Sequence, residues 1–409
     1  MAANRVYRAA GLDVGSAHTR CVICVVEEGR IRFAGAGQVD SRGWANSKIA
    51  DREQMSESVR LAAREAERQA GISVDAVVVG LGGEAIHGDN QAGKHDFGRP
   101  REIDQSDMAY AVEKACRQQL DAERVLLQVF PQDFTLDGNA GVVNPRGTRA
   151  SRLEANVHIV TTSAFEHQSL VSAVHEAHLA VEETVYEGMA SAYSCVAPDE
   201  RRQGVAIADI GAQSTEVVVY AGEAMIQAFS ITLGAEHFTR DVAYDFKISF
   251  EDAEKLKLEY GCAIQGLTAD NTFIEVPSAD GRPSREKQRK RLNFILESRA
   301  DFLFRYIKKK LEMCGMERRL LKGILLTGGG ACLNGMCDVA EQVLNCQSLN
   351  GLPDGIQDWP DTLANPQWAT AAGLAMYSGR LKEHRYQKRS SPGFLSLLMF
   401  LKTTEFSPT

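Results

Sequence analysis

Three short glycine turns carry the residue types that hold phosphate groups. They are Asp13–Val14–Gly15–Ser16, Asp209–Ile210–Gly211–Ala212–Gln213–Ser214–Thr215–Glu216 and Thr327–Gly328–Gly329–Gly330. A glycine at a strand end lets backbone N–H groups close on anionic oxygens. A helix N-terminus just beyond it adds positive partial charge. Carboxylates at two strand ends, Asp13 and Asp209, suit Mg2+ held through its water shell, the usual arrangement beside phosphates. A single such turn usually reads as an ordinary tight turn. Three in this order, two of them in matching units, point to one anion site built from separate segments.

The elements that must position these turns follow from the apolar pattern. "AAGLDVGSAHTRCVICVVEEGRIRFAGAGQVD" reads as three Val- and Ile-rich strands separated by glycine turns. "GVAIADIGAQSTEVVVYAGEAMIQAFSITLG" repeats the plan, so the chain is duplicated at the level of this motif and predicts two similar lobes facing each other. Asp51 and Gly71 bracket a helix, and "VDAVVVGLGG" is a buried strand after it. This is an α/β order. Near Glu84 the pattern breaks: "GDNQAGKHDFGRP" is polar and turn-rich, then a helix over 104–119 and strands over 125–136 and 155–161 suggest a small inserted subdomain. Residues 249–313 read as helical and charged, interrupted by the turn-rich "TADNTFIEVPSADGRPS".

Composition narrows the function classes. With 409 residues the chain can form two domain-sized cores. A net charge of −8 argues against a nucleic-acid partner. No run approaches the roughly 20 apolar residues needed to span a bilayer, and the first residues lack a signal-peptide core, so a cytosolic chain is expected. The nine cysteines are odd in number and scattered. Cys21 and Cys24 form half a zinc knuckle, but Cys332 and Cys337 lack the spacing to complete it, so neutral thiols are expected. His175 and His178 share a helix face without a carboxylate–His motif and read as surface.

The C-terminal "SPGFLSLLMFLKTTEF" is unusually apolar. Phe394, Leu397, Leu398 and Leu401 fall on one helical face. Leu395 extends the apolar run, Met399 and Phe400 lie on the other side, and Glu405 returns to the apolar face. The segment therefore reads as a short plug more than a two-faced helix. Arg380, Lys382, Arg385, Lys388 and Arg389 precede it, and each basic residue near an anionic leaflet contributes about 1 kcal/mol. An apolar segment plus a basic patch is a two-signal membrane anchor; packing on the protein itself or on a neighbour is the competing reading.

The three turns resemble the two phosphate loops and the adenosine loop of the actin–Hsp70–sugar kinase superfamily. Within it the chain is similar to the FtsA family of actin-like bacterial cell-division proteins. "GLDVGS", "SRGWANSKIAD", "VNPRGTRASRLEANVHIVT", "FTRDVAYDFKISFEDAEKLKLEYGCA", "LLTGGGACLNGM" and "NPQWATAAGL" carry the resemblance across nearly the whole chain. It implies an actin-like ATPase fold with an FtsA-type inserted subdomain. Subdomain IA would take residues 1–83, 161–196 and 351–381; IC, 84–160; IIA, 197–228 and 323–350; IIB, 229–322; residues 382–409 would be basic linker and membrane-targeting tail. It further implies ATP with Mg2+ in the cleft, self-association into filaments, and binding of the C-terminal peptide of the tubulin-like FtsZ. An inner-leaflet anchor at the septum and recruitment of later divisome membrane proteins complete the expectation. The alternatives within the superfamily are a pilus or secretion adaptor and a small-molecule kinase.

Carried over by residue, Asp13, Gly15 and Ser16 would face the β- and γ-phosphates, and Asp209, Gly211, Ser214 and Thr215 would face them from the other lobe. Gly234 would lie near the phosphates. Glu254, Lys255 and Lys257 would border the adenosine, and Gly328, Gly329 and Gly330 the α-phosphate and ribose. Glu187 matches a water-orienting glutamate, with Gly188 where relatives carry Pro. Arg299 matches a position near the FtsZ-peptide site. The family's second loop usually reads Asp–Ile–Gly–Gly–Gly–Thr–Thr–Asp; here Ala212, Gln213 and Glu216 depart from it. His18 replaces a usual Lys, and Ala235 the second glycine of a pair. An alanine at positive φ costs about 1 kcal/mol, and a Gln side chain crowds a phosphate, so weakened nucleotide binding and at most a weak ATPase are expected.

Overall fold

The computed structural model describes residues 6–387 apart from 46, 118–120, 122, 223 and 278–282; the apolar tail with Phe394, Leu395, Leu397, Leu398, Met399, Phe400 and Leu401 lies outside them. The first lobe opens with β1 (Val6–Val14), β2 (His18–Glu27) and β3 (Arg30–Asp40), a short hairpin of β4 (Trp44–Ala45) and β5 (Lys48–Ile49), α1 (Arg52–Ala70) and β6 (Ala76–Leu81). Asp51 caps α1 by accepting from the Gln54 N–H at 3.0 Å, a cap worth about 1 kcal/mol. Gly71 ends α1 at φ 67°, the left-handed turn that favours glycine. Met55, Val59, Ala62, Ala63 and Ala66 put one buried face of α1 against the sheet.

The chain then leaves the lobe through β7 (His87–Glu102), α2 (Gln105–Arg117), β8 (Arg124–Leu136), β9 (Asn139–Val142) and β10 (Arg149–Ser163). These strands form their own sheet in the order β7-β10-β8-β9, with α2 packed over Phe134, Leu153 and Val157. The polar, turn-rich reading of residues 88–100 is corrected: they form most of a 16-residue strand. Lacking alternation, it is held by pairing to β10 along its length and by α2 on one face. At Gly93 a Cβ would stand 1.9 Å from the Ala111 carbonyl oxygen, so the close helix approach requires glycine.

The chain returns through α3 (Ala164–Glu176), β11 (Ala180–Tyr186), α4 (Glu187–Cys195) and α5 (Pro198–Gln203). The second lobe follows: β12 (Val205–Ile210), β13 (Thr215–Ala221), β14 (Ala224–Ile231), α6 (Ala235–Phe246), α7 (Phe250–Tyr260), β15 (Phe273–Val276), β16 (Arg285–Gln288), α8 (Arg289–Met313), β17 (Ile324–Thr327), α9 (Met336–Leu344) and β18 (Ser348–Asn350). The last helix, α10 (Ala369–Gln387), crosses back onto β1 of the first lobe.

The duplication seen in the sequence is a duplication of topology. One sheet runs β11-β6-β1-β2-β3, the other β18-β17-β12-β13-β14. In each, an antiparallel three-strand meander continues into two parallel strands. The register repeats too: Asp13 pairs with Arg20, and Asp209 with Glu216. The two carboxylate-bearing strand ends therefore meet across one cleft.

Candidate functional site

The cleft encloses a cavity of about 740 Å³ walled by all three glycine turns. Ser16 and Ala17 from one side and Ala212 and Gln213 from the other line it, and their N–H groups have no protein acceptor among the described residues. Unpaired N–H groups beside a cavity form an anion-binding nest. Gly329 adds a stretch of wall where a Cβ would meet nothing within 4 Å. The backbone thus fits a polyphosphate.

The expected strain in the second loop is absent, because neither Ala212 nor Gln213 has a positive φ. What their loop does instead is dock on α6. The Ala235 N–H donates to Gly211 O at 2.9 Å and the Glu236 N–H to Ala212 O at 2.8 Å. Gly234 makes the approach possible, since its Cβ would lie 2.6 Å from both carbonyl oxygens; it supports the loop from behind, off the cavity wall. The Gln213 amide donates to Glu236 at 3.2 and 3.3 Å, and Arg240 pairs with the same carboxylate at 3.0 Å. The Gln213 side chain and the Glu236 carboxylate of α6 therefore stand together on the cavity wall.

Four carboxylates share the floor. Asp13 sits 3.7 Å from the Arg20 guanidinium, and burial pushes its carboxyl up to about 6 against the pull of that cation. Asp209 accepts from the Thr370 hydroxyl at 2.6 Å at the start of α10; burial raises it as well. Glu187, the first residue of α4, is half-buried on the cavity wall, and desolvation with Asp13 and Glu216 nearby holds its carboxyl well above the usual range. Glu216 reaches Gly83 N–H at 2.8 Å and the Ser230 hydroxyl at 2.9 Å, and burial lifts it to about 7. Desolvation disfavours the charged form wherever water is excluded. Among the described residues no group of three His, Cys, Asp or Glu could hold a metal ion.

At another part of the cavity wall Lys257 pairs with Glu254 at 2.7 Å and donates to the Thr239 hydroxyl at 2.8 Å and Ala235 O at 3.2 Å. Both line the cavity, whereas Lys255 is exposed and off its wall. Gly15, Ser16, Gly211, Ser214, Gly328, Gly329 and Gly330 all line it. Thr215 does not: it is fully buried and donates to Leu233 O at 2.6 Å. His18 faces the cavity 3.4 Å from Asp40, and burial lowers its pKa. Arg299 is remote, on α8, in a two-point pair with Asp241 at 2.5 and 2.7 Å. Sequence reading missed Arg20, Glu236 and Thr370. The signal for Arg20 was its place opposite Asp13, the register position Glu216 holds opposite Asp209.

The comparisons with known proteins bear on identity. A family model described as "Cell division protein FtsA" matches residues 206–373, and one described as "SHS2 domain inserted in FTSA" matches 83–161. The cell division protein FtsA of Escherichia coli (strain K12) is 32% identical over 375 residues, covering 90% of this chain and 89% of that protein. The chain belongs to the FtsA family. The FtsA of Pseudomonas aeruginosa is 31% identical over 368 residues, covering 90% and 88%, and that of Borreliella burgdorferi 30% over 381, covering 92% and 91%. Solved structures share the actin-like fold. A chain of the PilM-PilN type IV pilus biogenesis complex superposes at TM-score 0.66 with 18% identity, over 91% of this chain and 98% of that one. MreB5 of Spiroplasma citri bound to AMPPNP does so at 0.55 with 12% identity, over 93% and 98%. The chain is thus an actin-like cell-division protein, and at these identities the pilus and MreB structures speak for its fold alone.

Proposed function

We propose that this FtsA-family chain is a division adaptor: it binds ATP with Mg2+ across the cleft, self-associates, holds FtsZ through lobe II and meets the inner leaflet through its tail. The observation that carries the nucleotide part is the pair of matching turns that line one cavity and whose N–H groups have no protein acceptor among the described residues. Bound there, ATP with Mg2+ would supply an anionic bridge between the lobes. Ser16 and Ala17 would hold it from the first lobe, Ala212 and Gln213 from the second, and Asp13 and Asp209 would orient the metal's water. Burial and its acidic neighbours raise the Glu187 carboxyl and disfavour the ionised form that a general base needs. Hydrolysis is accordingly slow, and binding dominates the protein's work.

The partner part rests on the outer face of α6 and α8. Phe294, Phe302, Tyr306 and Tyr244 are exposed there, beside the Arg299–Asp241 and Arg291–Asp245 pairs. Exposed aromatic residues flanked by arginine suit a short peptide. Titration of the FtsZ C-terminal peptide should give binding that Arg299→Ala or Phe302→Ala weakens about tenfold or more, equal to 1.4 kcal/mol. Equal affinity for wild type and both variants would remove this face from the proposal. Co-sedimentation with anionic vesicles, with and without residues 394–406, tests the tail; equal binding by both forms would sink it as the anchor.

A further inference from the structure

Among the cleft carboxylates, Glu216 binds something outside its own lobe. Its Oε1 accepts from the Gly83 N–H at 2.8 Å and from the Ser230 hydroxyl at 2.9 Å. Gly83 lies between β6 and β7, where the first lobe meets the inserted subdomain, and opens the turn closed by the Ile86 N–H; its φ of 93° favours glycine. Glu187 presses on the same turn: a Cβ on Gly82 would stand 2.2 Å from Glu187 Oε2 and 3.4 Å from Glu216 Oε1. The phosphate loop of lobe II is thereby fastened to the root of the insertion.

A second set of bonds fastens the same strand pair further out. Glu216 on β13 pairs with Ser230 on β14, and Val218 with Ala228. The Ala228 N–H donates to the fully buried His158 Nε2 at 3.0 Å, and His158 Nδ1 is 2.7 Å from Asn90 Oδ1. Gln132 donates to Met225 O and Ile226 O at 3.1 Å each, and Gln227 to Gly88 O at 3.4 Å. His158, Asn90, Gln132 and Gly88 all belong to the inserted subdomain. That subdomain is covalently part of lobe I, yet it is bonded to β14 of lobe II. Any hinge motion that opens the cleft must break or strain these bonds.

We infer that Glu216 is a positioning residue that couples occupancy of the cleft to the placement of the inserted subdomain. This rests on the nucleotide reading above. It also gives the departure from the family's usual aspartate a physical meaning. Aspartate is shorter by one C–C bond, about 1.5 Å, which turns a 2.8 Å hydrogen bond to Gly83 into a gap. The longer acid closes a contact that the shorter one leaves open.

Hydrogen exchange on the full chain tests this, read at the amides of residues 83–93 with and without ATP and Mg2+. Each variant's nucleotide affinity is measured first, and nucleotide is supplied at ten times that variant's own Kd. In the wild type, nucleotide should change exchange in this segment by about threefold or more. Glu216→Asp should speed its basal exchange about tenfold and erase the nucleotide response. Glu216→Gln, which keeps an oxygen acceptor at full reach, should restore both. His158→Ala, cut at the outer seam, should also erase the response. Unchanged basal exchange in Glu216→Asp overturns the tie whether or not nucleotide binds. A full nucleotide response in Glu216→Asp overturns the coupling. A wild type that binds no ATP refutes the nucleotide reading instead, while the basal arm still decides the tie.

Discussion

The two strand-turn-strand units have the same topology and the same register, yet they differ in charge at one matched position. Opposite Asp13 stands Arg20; opposite Asp209 stands Glu216. In the first unit the charge is settled locally, because Arg20 lies beside Asp13 and is held by Gln38 at 2.8 Å and Gln367 at 3.2 Å. In the second unit the strand-end acid finds its donor in Thr370 of α10, and the matched acid reaches across the cleft to Gly83. Duplication fixed the backbone sites, and the side chains then gave one loop an internal counter-charge and the other an outward connection.

The largest effect expected from breaking this contrast is at Arg20. Arg20→Met strands the Asp13 carboxyl without its cation, and losing one partner of a buried pair costs about 3 kcal/mol. Urea denaturation checks this; a loss below about 1 kcal/mol would show that Arg20 does not neutralise Asp13. Glu216→Gln comes next. A carboxyl whose folded pKa is raised favours folding when protonated, so its native form is penalised as pH rises from the ordinary 4.5 through about 7. Wild-type stability should therefore fall between pH 5 and pH 8 by on the order of 2 kcal/mol from this group. Glu216→Gln should flatten that slope, and parallel pH profiles for both proteins would contradict the assignment.

His158 has the opposite sign. Burial lowers its pKa to about 4, so its contribution is present above about 6.5 and lost as pH falls toward 4. His158→Ala should cost about 1–2 kcal/mol at pH 7 by leaving the Ala228 N–H unpaired, with a smaller difference near pH 4, both read from thermal unfolding. An equal loss at the two pH values would argue against the neutral-acceptor role. The smallest change sharpens the second loop alone. Gln213→Gly removes the amide that leans on Glu236 and should tighten ATP binding about threefold, under 1 kcal/mol; weaker binding would mean that Gln213 itself holds the phosphate.

The fold was legible where its causes are local. Val- and Ile-rich runs, an Asp cap and glycine stops announced β1 to β3, α1 and the repeated unit. β7 was not, because its stability comes from pairing with β10 and from α2, and its own residues show no alternation. The turns of the site were legible as glycine patterns. Thr215 and Lys255 went astray because a motif places residues along a chain and not on a cavity wall. Glu216 was visible only as an irregular residue in a loop. Its partner Gly83 is 133 positions away, and no local pattern carries that distance.

The central claim is that the two matching turns hold one nucleotide between them. Isothermal titration of ATP with Mg2+ into wild type and Asp209→Asn tests it most directly, since the substitution keeps the side chain's shape and removes its charge. Saturable one-to-one binding is expected, weakening about tenfold or more in the variant. The same affinity in both proteins, or no binding by the wild type, would contradict it.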